Sequence, residues 1–368
     1  MKKILFSLAT VLLLTACGVE AERGSVKSGK CVPPQESPDP SLTAKIDPLI
    51  NDAADRGFAG GVTVMRDGVI VYSRTVGSAS LSENIPITDS TLFQVSSIAK
   101  YFTAALVLKA AEDGKFTIDD SIEMYAPGTR LATRGVTYAD LMAHKSGLGA
   151  SYVAEATTDP DEAASAIDAA DIDEEKVGQF KYSNDGYDLL GILLERAYVS
   201  PYEALLAEEI FASACLSNAS HWALVDVTDP HIVSQPLDGF PDSLLARNYG
   251  MLSTAGLLIT AQELAVYQHA LVQGGILSPA SLEALFAPHG DTSIGKATFG
   301  AFLSEIDGLG RRLSARGAES WGDNAIMNHY MDMDVIVTVV TSRGPAEDSG
   351  QPLFRNELSE AIEALLFR

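Results

Sequence analysis

The chain has 368 residues, 46% of them hydrophobic, enough for one large domain or two ordinary ones around a real core. It carries 26 basic and 49 acidic residues, a formal net charge of −23, and shows no basic patch. A surface this acidic repels phosphate backbones and excludes nucleic acid as a partner.

Lys2 and Lys3 precede an apolar run from Ile4 to Ala16, the length of a signal-peptide core and too short to span a bilayer. The run ends in Leu14-Thr15-Ala16-Cys17, which resembles a bacterial lipobox. That resemblance implies a lipoprotein signal peptide and lipobox over residues 1–17, with Cys17 lipidated and an exported protein held at the membrane by the lipid. Gly18, where an aspartate would retain the protein at the inner membrane, implies the periplasmic side of the outer membrane if the organism is Gram-negative. The alternative is an ordinary cleaved signal with an incidental cysteine. Residues 18–42, with Pro33, Pro34, Pro38 and Pro40, read as a flexible tether. Cys31 and Cys215 remain after export, and both a disulfide and two free thiols stay open.

A helix is expected from Ser41 or Thr43 through Ile46, Leu49 and Ile50. Gly60 to Arg66 and Val69 to Val76 are β-rich runs joined by Asp67-Gly68, a strong two-residue hairpin signal. Ser97-Ile98-Ala99-Lys100 then opens the longest helix-like run, which Gly114 stops. Residues three apart on a helix share a face. A serine and a lysine so placed can act as nucleophile and proton acceptor without a histidine. A serine in the first turn also meets unpaired N–H groups and the helix dipole, which favour developing negative charge. The plain alternative is a serine near a helix start and a solvated lysine. A second S-x-x-K, Ser293 to Lys296, lacks helical periodicity and reads as a loop.

The middle of the chain reads as short helices and long loops with acidic clusters on the surface. Tyr182-Ser183-Asn184 is the sole Y-x-N among twelve tyrosines and precedes the apolar periodicity of a buried helix. A tyrosine beside a cation can carry a proton, and an asparagine two residues on can donate to a substrate carbonyl. Helical patterns resume at Thr260 to Gln273 and Ser278 to Phe286. Strand signals follow at Thr298 to Ile306 and Asp334 to Thr341, and a closing helix at Asn356 to Phe367. No G-x-S-x-G elbow occurs, and the histidines show no metal-ligand spacing.

Phe93 to Lys100, Leu141 to Leu148 (with His144) and Tyr182 to Gly191 stand in the order and rough spacing of the class C β-lactamase-like, penicillin-binding-protein-like serine hydrolases. Leu252 to Gly256, Thr260 to Leu264 and Gly274 to Pro279 resemble the same family, so the resemblance covers about residues 43–345. It implies Ser97 as the acyl-forming nucleophile, Lys100 as its base, Tyr182 as proton shuttle, and Asn184 as a substrate-facing polar group. His144 is implied to be structural. The family's third motif, Lys-Thr-Gly or His-x-Gly, is degenerate here: Ser314 to Gly322 puts Arg316 at the cationic position and Ala318 at the glycine. The Glu319 N–H then becomes the second oxyanion donor beside that of Ser97. Arginine cannot exchange a proton near neutral pH, and the Glu319 carboxylate adds negative charge, so a small anionic β-lactam is disfavoured.

The expected architecture is α/β (α+β type): an antiparallel sheet flanked by helices and built from both termini, with a mostly helical insertion. The serine hydrolase domain spans 43–368, its α/β part about 43–120 and 246–368 and its helical part about 121–245. The expected activity is hydrolysis of an ester or amide on a small-molecule or peptide-like substrate without a cofactor or metal. Esterase or D-amino-acid peptidase-like action ranks above efficient β-lactamase action. A catalytically silent relative that binds a ligand or envelope partner is the competing reading.

Overall fold

Asp67 and Gly68 both adopt positive φ, 51° and 73°, the pair that a primed two-residue turn requires. They join β2 (Gly60–Arg66) to β3 (Val69–Val76) as the sequence predicts. The computed structural model describes residues 33–344 and 353–367. The signal and lipobox residues, Cys17 and Cys31 lie outside the described residues, and Cys215 is disulfide-bonded.

The hairpin pairs through β2 with β12 (Val335–Thr341), near the other end of the chain. From β12 the sheet continues through β11 (Asn324–Tyr330), β10 (Gly310–Ala318), β9 (Phe302–Ile306), β8 (Gly295–Ala297) and β7 (Gly290–Thr292). These neighbours are antiparallel; the outer strand β1 (Gln35–Glu36) lies parallel to β3. Alternation along β12 divides the core. Val337 and Val339 pack with α1 (Pro40–Asp55) and α10 (Phe354–Leu366), while Ile336 and Val340 join the larger core on the opposite face. That larger core contains α8 (Ala261–Val272) and α2 (Ala99–Glu112). Helix α2 is buried nearly all round, the mark of a central helix.

Between α2 and α8 lie α3 (Arg130–Thr133), α4 (Tyr138–Met142), α5 (Pro160–Ala169), α6 (Asn184–Tyr198) and α7 (Tyr202–Leu205). The short strands β4 (Phe93–Gln94), β5 (Ser220–His221) and β6 (Leu257–Ile259) form a second sheet in the order β4-β6-β5. Helix α9 (Pro279–Phe286) packs near α2.

Three expectations need correction. The tether does not extend to residue 42: Gln35–Glu36 already pair with β3, and Asp39 caps α1, its carboxylate accepting the Ser41 and Leu42 N–H groups at 2.8 and 3.2 Å. Pro40 fits the first helical position, where its missing N–H costs nothing. Ser293 to Lys296 is not a loop throughout: Ser293 and Ile294 form the tight turn between β7 and β8, and Gly295 and Lys296 open β8. The strand expected from Thr298 starts only at Phe302, after a turn in which the Thr298 N–H donates to Ala301 O at 2.8 Å.

Candidate active site

Ser96, at φ 52°, turns the chain sharply from β4 into a 3₁₀ turn, Ser96–Ile98, that runs on into α2. This sets Ser97 at the head of the helix and Lys100 one turn later. Lys100 is 1% exposed, and its Nζ donates to Ser97 Oγ at 3.2 Å and to Thr254 O at 3.3 Å. Tyr182 OH reaches the same Ser97 Oγ at 2.8 Å, with Lys100 Nζ 5.0 Å from its ring centroid. One hydroxyl thus touches both an amine and a phenol, two groups able to carry its proton.

Tyr182 is held from behind. The Ser183 hydroxyl caps α6 by accepting the Gly186 N–H at 2.9 Å, and the Ser183 N–H donates to His144 Nδ1 at 3.0 Å. The His144 ring lies 4.7 Å from that of Tyr182. Burial, helped by the Lys100 charge, lowers His144 to about 3, so it stays neutral with its proton on Nε2. Stability from a lowered histidine is present above its ordinary value of 6.5 and is lost as pH falls towards 3. His144→Asn keeps an acceptor and tolerates the positive φ of 57°. Between pH 7.5 and pH 5.0 the unvaried protein should lose about 2 kcal/mol relative to that variant in urea unfolding. An identical difference at both pH values would refute the assignment.

The facing wall is β10. A Cβ on Gly317 would lie 2.1 Å from Val95 O and 2.8 Å from Ser97 N, so the strand rests directly on the Ser97 turn. The Glu319 N–H donates to Asp323 O at 2.9 Å. Antiparallel ladders alternate, so the Ala318 N–H points away from β11. It faces the edge of β10 left open because β9 begins only at Phe302, opposite Ser314. Arg355 on α10, 1% exposed, donates through Nη1 to Gly317 O. Ser97, Tyr152, Tyr182, Asn184, Arg316 and Glu319 line a cleft of about 390 Å³.

The sequence model of the family described as Beta-lactamase matches residues 45–361. The chain belongs to the beta-lactamase family. It is 28% identical over 342 residues to Penicillin-binding protein 4* of Bacillus subtilis (strain 168), covering 84% of this chain and 72% of that protein. It is 24% identical over 254 residues to the Putative penicillin-binding protein PbpX of the same strain, covering 67% of this chain and 63% of the relative, so the match spans less than two thirds of that protein. Among solved structures, the D-amino acid amidase from Ochrobactrum anthropi SV3 complexed with L-phenylalanine superposes at TM-score 0.75, with 20% identity and coverage of 89% and 98%. FmtA from Staphylococcus aureus superposes at TM-score 0.73, with 17% identity and 91% of each chain covered. These likenesses show a shared fold.

Within this beta-lactamase family member the third motif needs a register correction. The glycine that must be a glycine is Gly317, so Ala318 does not stand in a glycine's place and Arg316 immediately precedes the close contact. The Glu319 N–H is engaged by Asp323 and is not available to an oxyanion; the N–H groups placed at the cleft are those of Ser97 and Ala318. The Glu319 carboxylate does line the cleft, and Arg316 faces the site beside Ser97 and Tyr182. Asn184 also lines the cleft, but its Nδ2 donates to Ala150 O at 2.7 Å, tying α6 to the loop above it.

Two residues escape sequence reasoning. Asp188, one turn past Asn184 on the same face of α6, accepts the Thr254 hydroxyl and the Met251 N–H, both at 3.2 Å. It thereby braces the segment whose Thr254 carbonyl holds Lys100. Burial pushes its carboxyl up to about 8 against the pull of Lys100 and those donors. The i, i+4 spacing from Asn184 was its signal. Arg355 had none beyond a cation in an amphipathic helix.

Proposed function

We propose that this beta-lactamase family member is an exported serine hydrolase that forms an acyl-enzyme on Ser97. The carrying observation is the single Oγ within hydrogen-bond reach of both Lys100 Nζ and Tyr182 OH. Ser97 gives its proton to this pair and attacks a carbonyl carbon. The oxyanion forms against the Ser97 and Ala318 N–H groups, which stabilise charge present only in the tetrahedral state. Tyr182 returns the proton to the leaving group, and water then cleaves the acyl-enzyme. The substrate is an ester or amide, small or peptide-like, oriented by Asn184 and Arg316. Lipidation at Cys17 would hold the enzyme in the cell envelope.

Arg316 and the Glu319 carboxylate support esterase or D-amino-acid peptidase-like action over efficient β-lactamase action. Turnover of p-nitrophenyl esters or D-amino-acid amides should exceed that of nitrocefin when kcat/KM is compared on the soluble domain. Nitrocefin hydrolysis at about 10⁶ M⁻¹s⁻¹ or faster would reverse the ranking. The competing reading, a catalytically silent ligand-binding protein, draws on the third motif: with Gly317 as its glycine, Ala315 stands where the family offers a lysine or histidine. Absence of both turnover and covalent labelling would favour it.

A further inference from the structure

Beside the open cleft lies a second, much smaller space of about 20 Å³, lined by Ser97, Lys100, Tyr182, Thr298, Phe302 and Arg316. A single water needs roughly 10–15 Å³ of such space and two to four polar partners. Ser97, Lys100 and Tyr182 supply polar groups to its lining. Thr298 lines it too, is 1% exposed, and its hydroxyl has no hydrogen-bond partner among the described residues. A buried hydroxyl left without a partner is destabilising, and a water in this space would satisfy it.

Thr298 is also rigidly placed. Its own N–H closes the turn to Ala301 O. The turn's Gly300, at φ 77°, lies so close to α2 that a Cβ there would come within 2.7 Å of the Tyr101 backbone. The space is therefore fixed against the helix that carries Ser97 and Lys100. No sequence motif marks Thr298.

We propose that this cavity holds the hydrolytic water and that Thr298 is its positioning residue, an inference that rests on the acyl-enzyme reading above. The water oxygen attacks the carbonyl carbon of the Ser97 ester while one of its protons passes to the Lys100–Tyr182 pair. The bond from that carbon to Ser97 Oγ then breaks, Oγ recovers the proton from the pair, and a carboxylic acid leaves. A water held at the nucleophile directs the acyl group to hydrolysis rather than to transfer onto an added amine.

The test uses the purified protein and a p-nitrophenyl ester, with acylation followed by p-nitrophenolate release and the Ser97 adduct by intact mass. Thr298→Val keeps the shape and removes the hydroxyl. Its acylation rate should stay within about twofold, while the adduct should decay at least about tenfold more slowly and accumulate. Thr298→Ser should restore decay, and thermal melting of both variants reports folding. An adduct that decays at the unvaried rate in Thr298→Val overturns the water site and leaves the acyl-enzyme intact. Equal slowing of acylation and decay in both variants also overturns it. Absence of any Ser97 adduct on both the unvaried protein and Thr298→Val while p-nitrophenolate is released overturns the acyl-enzyme reading and this proposal with it.

Discussion

Ser97→Ala is expected to abolish labelling by a fluorophosphonate or labelled-penicillin probe and to lower hydrolysis of any ester or amide substrate by roughly 10³-fold or more. Both Lys100 and Tyr182 reach this Oγ. Without it the two proton carriers have no nucleophile to serve. Lys100→Met and Tyr182→Phe each leave the hydroxyl but remove one route for its proton, so each should slow acylation by about 10²–10⁴-fold. The losses should not add, because the three groups act as one unit. Thermal stability of Ser97→Ala should match that of the unvaried protein. Probe labelling that persists equally in Ser97→Ala would remove Ser97 from the chemistry.

Gly317→Ala is expected to damage both activity and stability. The added methyl would lie 2.1 Å from Val95 O, 2.8 Å from Ser97 N and 2.9 Å from Ser96 Cβ. Two of these are backbone atoms at the entrance to α2, so nothing flexible can yield. Either β10 or the Ser97 turn must move. Movement separates the Ser97 and Ala318 N–H groups, and loss of one oxyanion donor costs about 10²–10³-fold in rate. Overpacking of this kind costs about 1–3 kcal/mol of stability, readable in a urea midpoint. Ala318→Gly, at the position sequence reasoning took for the constrained glycine, should leave the labelling rate unchanged. A Gly317→Ala protein that labels at the unvaried rate would show that the close seat of β10 is not required.

The contrast between residues 317 and 318 shows where sequence reasoning stops. Side chains along a strand alternate, so a one-residue slip exchanges every face. Nothing local to Ser314–Gly322 marks which residue touches the Ser97 turn. The hairpin at Asp67-Gly68, the helix behind Ser97 and the buried strand β12 were legible because each depends on neighbours a few residues away. Tyr182 and its cap were legible for the same reason: Ser183 closes α6 through Gly186, three residues on.

What the sequence by itself determined is the family, the sheet built from both termini and the trio of Ser97, Lys100 and Tyr182, all carried by short motifs and local periodicity. Only the tertiary structure decided which N–H groups face the cleft, that Asp188 braces the carbonyl holding Lys100, that Arg355 grips Gly317 O and that Thr298 closes a water-sized space beside the hydroxyl. Tyr182 and Ser97 are 85 positions apart, as Arg355 and Gly317 are 38 apart. Contacts of this kind depend on how separate elements pack to within a fraction of an ångström, and no spacing rule along one segment encodes that distance.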